Sequence, residues 1–256
     1  MVGNDVVDLS DRDADPATLH PRFDARVFSA RELELLRASS RPVALRWRLW
    51  AAKEAAYKAV SKAHPGIVFS PSRFRVALAP SVGAGRFATG AVRCSAGRCR
   101  VALAESDRAI HAVARFDPPG NGEASQRPGG ANLDQPPLRR RTPEPGDPPR
   151  RPRSTRATRA RLLQGQLRVD SLEAIREDPH AASRAVRDFA RTRLAAFLGV
   201  DEGDLEIRRR GRIPELWLAG RRAHADLSLS HHGAVVAFAC EVPGRGASAA
   251  IAGQSI

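Results

Sequence analysis

The 256-residue chain is poor in the residue types that define several functional classes. It has three cysteines, Cys94, Cys99 and Cys240, an odd number without a metal-ligand pattern beside them, which argues against a disulfide framework or a structural zinc site. Cys94 and Cys99 are expected to face each other across a hairpin as reduced thiols. No apolar run reaches the roughly 18 residues that span a bilayer. The start MVGNDVVDLSDRD also lacks the basic flank and apolar core of a signal peptide, so the expectation is a cytoplasmic protein without a membrane partner. Aromatic residues make up only 5% of the chain, too few for a platform on which nucleic-acid bases stack. The phosphate loop G-x-x-x-x-G-K-[ST], a strand-linked G-x-G-x-x-G and the hydrolase elbow G-x-S-x-G are all missing. Any nucleotide must then be held by side-chain cations, and serine-hydrolase chemistry is not expected.

What is abundant is arginine, which far outnumbers lysine and carries the formal charge of +14. Such a field favours anionic partners: nucleic acid, phosphorylated cofactors, acidic proteins or anionic membrane, and charge alone does not choose among them. With 42% hydrophobic residues the chain can build a core, as one large domain or two small ones. Between 117 and 161 the composition changes: ten of the 19 prolines and ten arginines lie there with five acids and few aliphatic side chains. That stretch cannot bury enough apolar surface to offset its ordering entropy, and it is expected to be a disordered linker.

The chain on either side reads as α+β. In residues 1–116, GNDVVDL is a short strand. SARELELLRAS is a helix opened by a capping box of Ser29 and Glu32, and a long helix follows from about Arg41 to Ala63, closed by Pro65-Gly66. IVFSPSRFRVAL, RFATGAVRC, CRVALAES and AIHAVARF form an antiparallel meander. In residues 162–243, PHAASRAVRDFARTRLAAFLG is a helix with Ala185, Phe189, Leu194, Phe197 and Leu198 inward and Arg184, Arg187 and Arg191 outward. DLEIRRRGRIPELWL, HADLSLSHH and GAVVAFACEV are strands. Residues 244–256 are expected to be a flexible tail. This plan predicts two pseudo-symmetric lobes, each with helices packed on a small antiparallel sheet, and an active cleft between them.

Within RWRLWAAKEAAYKAV, helical spacing puts Trp47, Trp50, Glu54 and Lys58 on one stripe, so a carboxylate sits on a face that tryptophans mark as buried. Glu54 with Asp5 of GNDVVDL can hold a hard divalent cation; alternatively, Asp5 belongs to a turn and Lys58 forms an ordinary helical ion pair with Glu54. Lys53, turned about 100° from Glu54, packs or meets another anion. His231 in LSLSHHG sits at a strand end, as a structural or surface residue or facing a cleft. The arginines of IRRRGRIP, including Arg212, and Arg184 and Arg187 are anion-site candidates or a solvated basic edge.

Together GNDVVDL, W-A-A-K-E-A-A-Y-K-A and S-L-S-H resemble the 4′-phosphopantetheinyl transferase superfamily. The order of the three motifs is that of its short carrier-protein-synthase type, while the length is that of its two-lobed type, which implies lobes in permuted order joined by the linker. The resemblance implies transfer of the 4′-phosphopantetheine arm of coenzyme A to a serine of an acidic acyl or peptidyl carrier protein, with release of adenosine 3′,5′-bisphosphate. It further implies Mg²⁺ on Asp5 and Glu54, catalytic roles for Glu54 and Lys58, and coenzyme A contacts from His231, Ser230, Lys58, Arg212, Arg184 and Arg187. Three departures stand out. Val7 occupies the place of a second strand carboxylate, with Asp8 one residue further on the opposite face; the glycine after the helix is displaced; and G-R-I-P is one residue longer than the family's G-K-P. A monomer is expected, with both walls of the cleft in one chain. The other readings are an inactive carrier-binding relative and a basic nucleic-acid-binding protein, the latter leaving Glu54 unexplained.

Overall fold

A computed structural model describes residues 1–79, 86–118, 160–169, 178 and 180–243. Most of the expected linker and the whole expected tail, 244–256, lie outside the described residues. The fold is α+β, with every strand pairing antiparallel. Strand β1 (Val2–Asp8) is followed by 3₁₀ turns at Arg12–Ala14 and Pro16–Thr18 and by helices α1 (Phe23–Val27), α2 (Ala30–Ala38) and α3 (Pro42–Ala63). The meander β2 (Arg75–Leu78), β3 (Phe87–Cys94), β4 (Gly97–Glu105) and β5 (Ala109–Phe116) follows, and β1 adds beside β5 to give the order β1-β5-β4-β3-β2. Beyond the undescribed stretch come β6 (Arg161–Arg168), α4 (Ala181–Leu198), the hairpin β7 (Leu205–Arg210) and β8 (Ile213–Leu218), short β9 (Arg221–Arg222), and β10 (Asp226–His232) with β11 (Val235–Val242). They form two three-stranded sheets, β10-β11-β6 and β7-β8-β9. Among the described residues no helix is long and apolar enough to cross a membrane.

The helix signals operate as expected. Ser29 and Glu32 cap α2 reciprocally, and Gly199, at φ 72°, ends α4 in a left-handed turn. Helix α3 is buried nearly all round: Trp47, Leu49, Ala51, Ala52, Ala55, Ala56, Ala59 and Val60 enter the core it shares with the five-stranded sheet. The Trp47 indole donates to the Ala14 carbonyl at 2.9 Å, which anchors the stripe.

Four sequence expectations need correction. Cys94 pairs in register with Gly97 and Cys99 with Val92, so the two free thiols are diagonal neighbours rather than opposed. In IVFSPSRFRVAL only Arg75–Leu78 is strand, because Pro71 opens a 3₁₀ turn. On α4 the fully buried stripe is Ala182, Val186, Ala190 and Leu194, with Ala195. Ala185 is only half-buried there, and Phe189, Phe197 and Leu198 pack at the stripe's edge. Strand β6, RLLQGQLR, was not expected. It pairs with β11 while exposing Leu162 and Leu167, so it lacks the alternation that marks a half-buried strand.

Strand β1 positions everything that follows. Its seven residues are all buried because the two faces have different partners. Val7 joins the α3 core and Asp5 meets Lys58, while Val2 and Val6 pack with Ala239, Val235 and Ala237 of β11. Gly3 lies against α3: a Cβ there would stand 2.1 Å from the Ala55 carbonyl oxygen and 2.5 Å from the Ala59 nitrogen. Gly3→Ala is therefore expected to destabilise the fold by about 3 kcal/mol, at the upper end of overpacking costs, measured by urea unfolding. A loss below 0.5 kcal/mol would show that β1 and α3 separate easily.

Candidate functional site

Period-two alternation sends Asp5 towards α3, where Lys58 donates to Asp5 Oδ1 at 2.8 Å. The i, i+4 partner of Lys58 is Glu54, also half-buried on α3. Burial first, and the nearby Asp5 carboxylate second, push the Glu54 carboxyl up to about 7, with Lys58 opposing them. Lys58 thus pairs with Asp5 rather than in the helical ion pair expected with Glu54, which feels its ammonium only as a nearby charge. The two carboxylates suit a hard divalent cation such as Mg²⁺, which takes one or two carboxylates and completes its shell with water and phosphate oxygens. No cluster of three or more His, Cys, Asp or Glu suited to a metal occurs among the described residues.

Asp8 does not join them. It points the other way, accepting from Ser10 Nα and Oγ and from the Ala234 amide at 3.0 Å. Burial alone would raise its pKa, but these hydrogen bonds hold the carboxyl below the usual range. It fastens β1 to the β10–β11 turn.

A pocket of about 550 Å³ opens next to Lys58, between α3 and the β7–β8 hairpin, with Tyr57, Lys58 and Lys62 on one wall and Arg210, Arg212 and Pro214 on the other. A smaller one, about 160 Å³, shares Arg212 and Pro214 with it and adds Arg187, Arg209 and His231. His231 stands at the rim; partial burial, Lys58 and His232 lower its pKa. Arg187 is likewise lowered, by burial and by Arg209. The structure therefore brings His231, Arg187 and Arg212 together, one pocket away from Lys58. Arg184 lies outside this group, paired with Asp178. Of the remaining basic run, Arg208 stacks 4.1 Å over Trp217 and Arg210 pairs with Glu215 at 2.9 Å.

Ser230, expected to touch a coenzyme, is turned inward. The polar positions of β10 (Asp226, Ser228, Ser230 and His232) alternate along one side and cover the outer edge of β1: the amides of Val2, Asn4 and Asp8 donate to Asp226, Ser228 Oγ and His232 Nδ1. Side chains take the place of a neighbouring strand's carbonyls there. Lys62 closes the same seam, donating to the Val2 and Leu227 carbonyls at 2.7 Å and to Asp226. Sequence reasoning missed Lys62 and Asn4. The only signal for Lys62 was its spacing, one turn beyond Lys58 on a helix that carries all three lysines of the chain.

Behind the site, His111 of β5 is buried beside Asn4, and desolvation, with Lys58, holds its pKa down to about 4. Its ordinary value is 6.5, so the unfolded chain binds a proton between those values that the folded chain refuses. Stability is then full above pH 6.5 and is lost as pH falls towards 4, by about 3 kcal/mol. Urea unfolding across that range should show the loss, and His111→Gln should flatten it; an unchanged slope in the variant would assign the acid sensitivity elsewhere.

With Asp5, Glu54 and Lys58 converging from one strand and one helix, the first part of the chain can be compared with known proteins. Residues 1–112 match the family model of the 4′-phosphopantetheinyl transferase superfamily. The matched stretch holds the carboxylate pair and Lys58 and ends before His231. Among solved structures, the chain is similar to the holo-[acyl-carrier-protein] synthase of Thermotoga maritima, at 20% identity and a TM-score of 0.31. That match covers 44% of this chain and 61% of the Thermotoga chain. No curated protein matches.

Proposed function

We propose that the protein is a 4′-phosphopantetheinyl transferase that moves the arm of coenzyme A onto a serine of an acidic acyl or peptidyl carrier protein and releases adenosine 3′,5′-bisphosphate. The observation that carries this reading is the convergence of Asp5, Glu54 and Lys58 beside a basic pocket, within the stretch that matches the transferase superfamily. In this reading residues 1–116 and 162–243 are two lobes in permuted order, their cleft contains both pockets, and a monomer suffices.

The carrier serine must attack the β-phosphorus of a dianionic diphosphate, so charge neutralisation and positioning are the main catalytic terms. Asp5 and Glu54 would hold Mg²⁺, which when bound offsets the charge of the diphosphate. Lys58 turns its ammonium from Asp5 to an oxygen of the transferring phosphate. Glu54, or a metal-ordered water beside it, accepts the serine proton. His231 binds a coenzyme phosphate from the far side, with Arg187 and Arg212 at the 3′-phosphate and adenine end and Arg184 at its periphery.

Purified protein, apo carrier protein, coenzyme A and Mg²⁺ should together yield a carrier bearing phosphopantetheine, detected by mass spectrometry. Absence of the adduct with fatty-acid, polyketide and peptide carriers alike would overturn the assignment. Because the basic surface attracts an acidic partner, the rate at limiting carrier should fall several-fold from 50 to 300 mM salt.

A further inference from the structure

The buried seam between β1 and β10 contains one residue with no evident packing purpose. Asn4 is wholly buried. Its backbone N–H donates to Ser228 Oγ at 3.0 Å, its side-chain Nδ2 donates to Ser230 Oγ at 2.9 Å, and that same nitrogen lies 3.3 Å from His111 Nε2. The low pKa of His111 keeps its ring neutral, so Nε2 can accept. Asn4 Oδ1, in contrast, is buried without a partner. Turning the amide over would only exchange the orphan oxygen for an orphan NH₂, so either orientation carries a desolvation cost that an apolar side chain of similar size would avoid. A retained cost of this kind asks for a reason.

The reason is in what the seam separates. On the α3 side of Asn4, its neighbour Asp5 meets Lys58. On the other side, Ser230 is followed by His231, which lines the small pocket together with Arg187 and Arg212. The apolar contacts at the seam, Val2 and Val6 against the alanines and Val235 of β11, are small and put no restraint on the turn of Ser230 and His231. The β1 amides and Lys62 hold the register of the seam; the Asn4 side chain adds the one bond that restrains Ser230, the residue next to His231.

We propose that Asn4 is a positioning residue: by holding Ser230 through its side-chain amide it fixes how far the adjacent His231 stands from the Asp5, Glu54 and Lys58 group, so that one diphosphate can engage both. The proposal rests on the transferase reading for its substrate. Its test is a double-mutant cycle between Asn4→Ala and His231→Ala, read as kcat/KM for coenzyme A and, separately, as coenzyme A affinity by calorimetry, with thermal unfolding as the control for folding. Asn4→Ala is expected to lower kcat/KM about 10- to 100-fold in the parent and less than threefold in the His231→Ala background, because the clamp acts through His231. Ser230→Ala, a milder change that deletes the acceptor of the Asn4 amide, should give a loss of the same sign and the same dependence on His231. Equal losses in both backgrounds, or full activity in Asn4→Ala, would reduce Asn4 to a structural residue and overturn the proposal. A parent protein that binds coenzyme A but transfers nothing would sink the transferase reading while the cycle is still decided by dissociation constants. A parent that neither binds nor transfers would sink both.

Discussion

Glu54→Gln should abolish phosphopantetheine transfer, by about a thousandfold or more, and at the same time make the metal-free protein more stable above neutral pH. The loss follows from removing both a ligand charge and the group that accepts the serine proton, each a term that acts where charge develops. The gain follows from the sign of the pKa shift. Glu54 is raised from 4.5 to about 7 in the folded protein, so the unfolded chain gives up its proton first, and stability declines as pH rises from 4.5 through 7. That decline amounts to about 2–3 kcal/mol at pH 8, allowing for partial exposure of the group. Glutamine keeps the shape and never ionises, so the variant avoids it. A stabilised but inactive protein is a signature that packing damage cannot imitate. Mg²⁺ should raise the melting temperature of the parent at pH 8 and leave that of Glu54→Gln nearly unchanged. An active variant, or an equal response of both proteins to Mg²⁺, would remove Glu54 from the site.

The adjacent position should behave in the opposite way. Lys53→Met is expected to cost about 3–5 kcal/mol, enough to unfold much of the protein near 40 °C, because it leaves a buried carboxylate without its cation. Lys53 Nζ is fully enclosed and donates to both oxygens of Glu32, at 3.0 and 2.8 Å, and to the Pro71 and Phe74 carbonyls at 3.0 and 2.6 Å. Glu32 in turn accepts from the Ser29 and Val76 amides, both at 2.8 Å. One ion pair thus ties α2, α3, the 71–73 turn and β2 together. Burial lowers the Lys53 pKa, opposed by Glu32, which is the mark of a charge kept only by its partner. Urea unfolding measures the loss, and the double variant Lys53→Met/Glu32→Leu should recover part of it but not all, because Glu32 also caps α2 and holds the Val76 amide. A single variant within 1 kcal/mol of the parent would mean that Glu32 takes up a proton at little cost.

Neighbours in the sequence therefore have separate duties, and the contrast marks where sequence reading succeeds. Element types followed from local chemistry: the capping box at Ser29, the Pro65-Gly66 stop, the turns between β3, β4 and β5, and the short strand GNDVVDL. The fate of individual charges did not. The tryptophan stripe directed attention to Glu54, yet the most deeply buried charge on α3 is Lys53, one residue and about 100° away. Its burial depends on Glu32, 21 residues earlier, and no local pattern encodes that meeting.

The same division holds at β10. DLSLSHH reads correctly as an alternating strand, and alternation says that Ser228 and Ser230 share a side opposite His231. It does not say which side faces a partner. Here the polar side is the inner one, because the free edge of β1 presents amides that need acceptors, and that edge exists only once β1 has paired with β5. By itself, then, the sequence determined the three longer helices, most strands and the excess of positive charge, and it singled out Asp5, Glu54, Lys58 and His231 by motif, all matters of short-range pattern. Tertiary structure alone decided which anion Lys53 meets, that Lys62 is a structural pin, which seam Asp8 and Ser230 face, and that Arg187 rather than Arg184 joins His231. Each of those outcomes depends on a burial cost or a hydrogen bond whose two partners lie far apart along the chain.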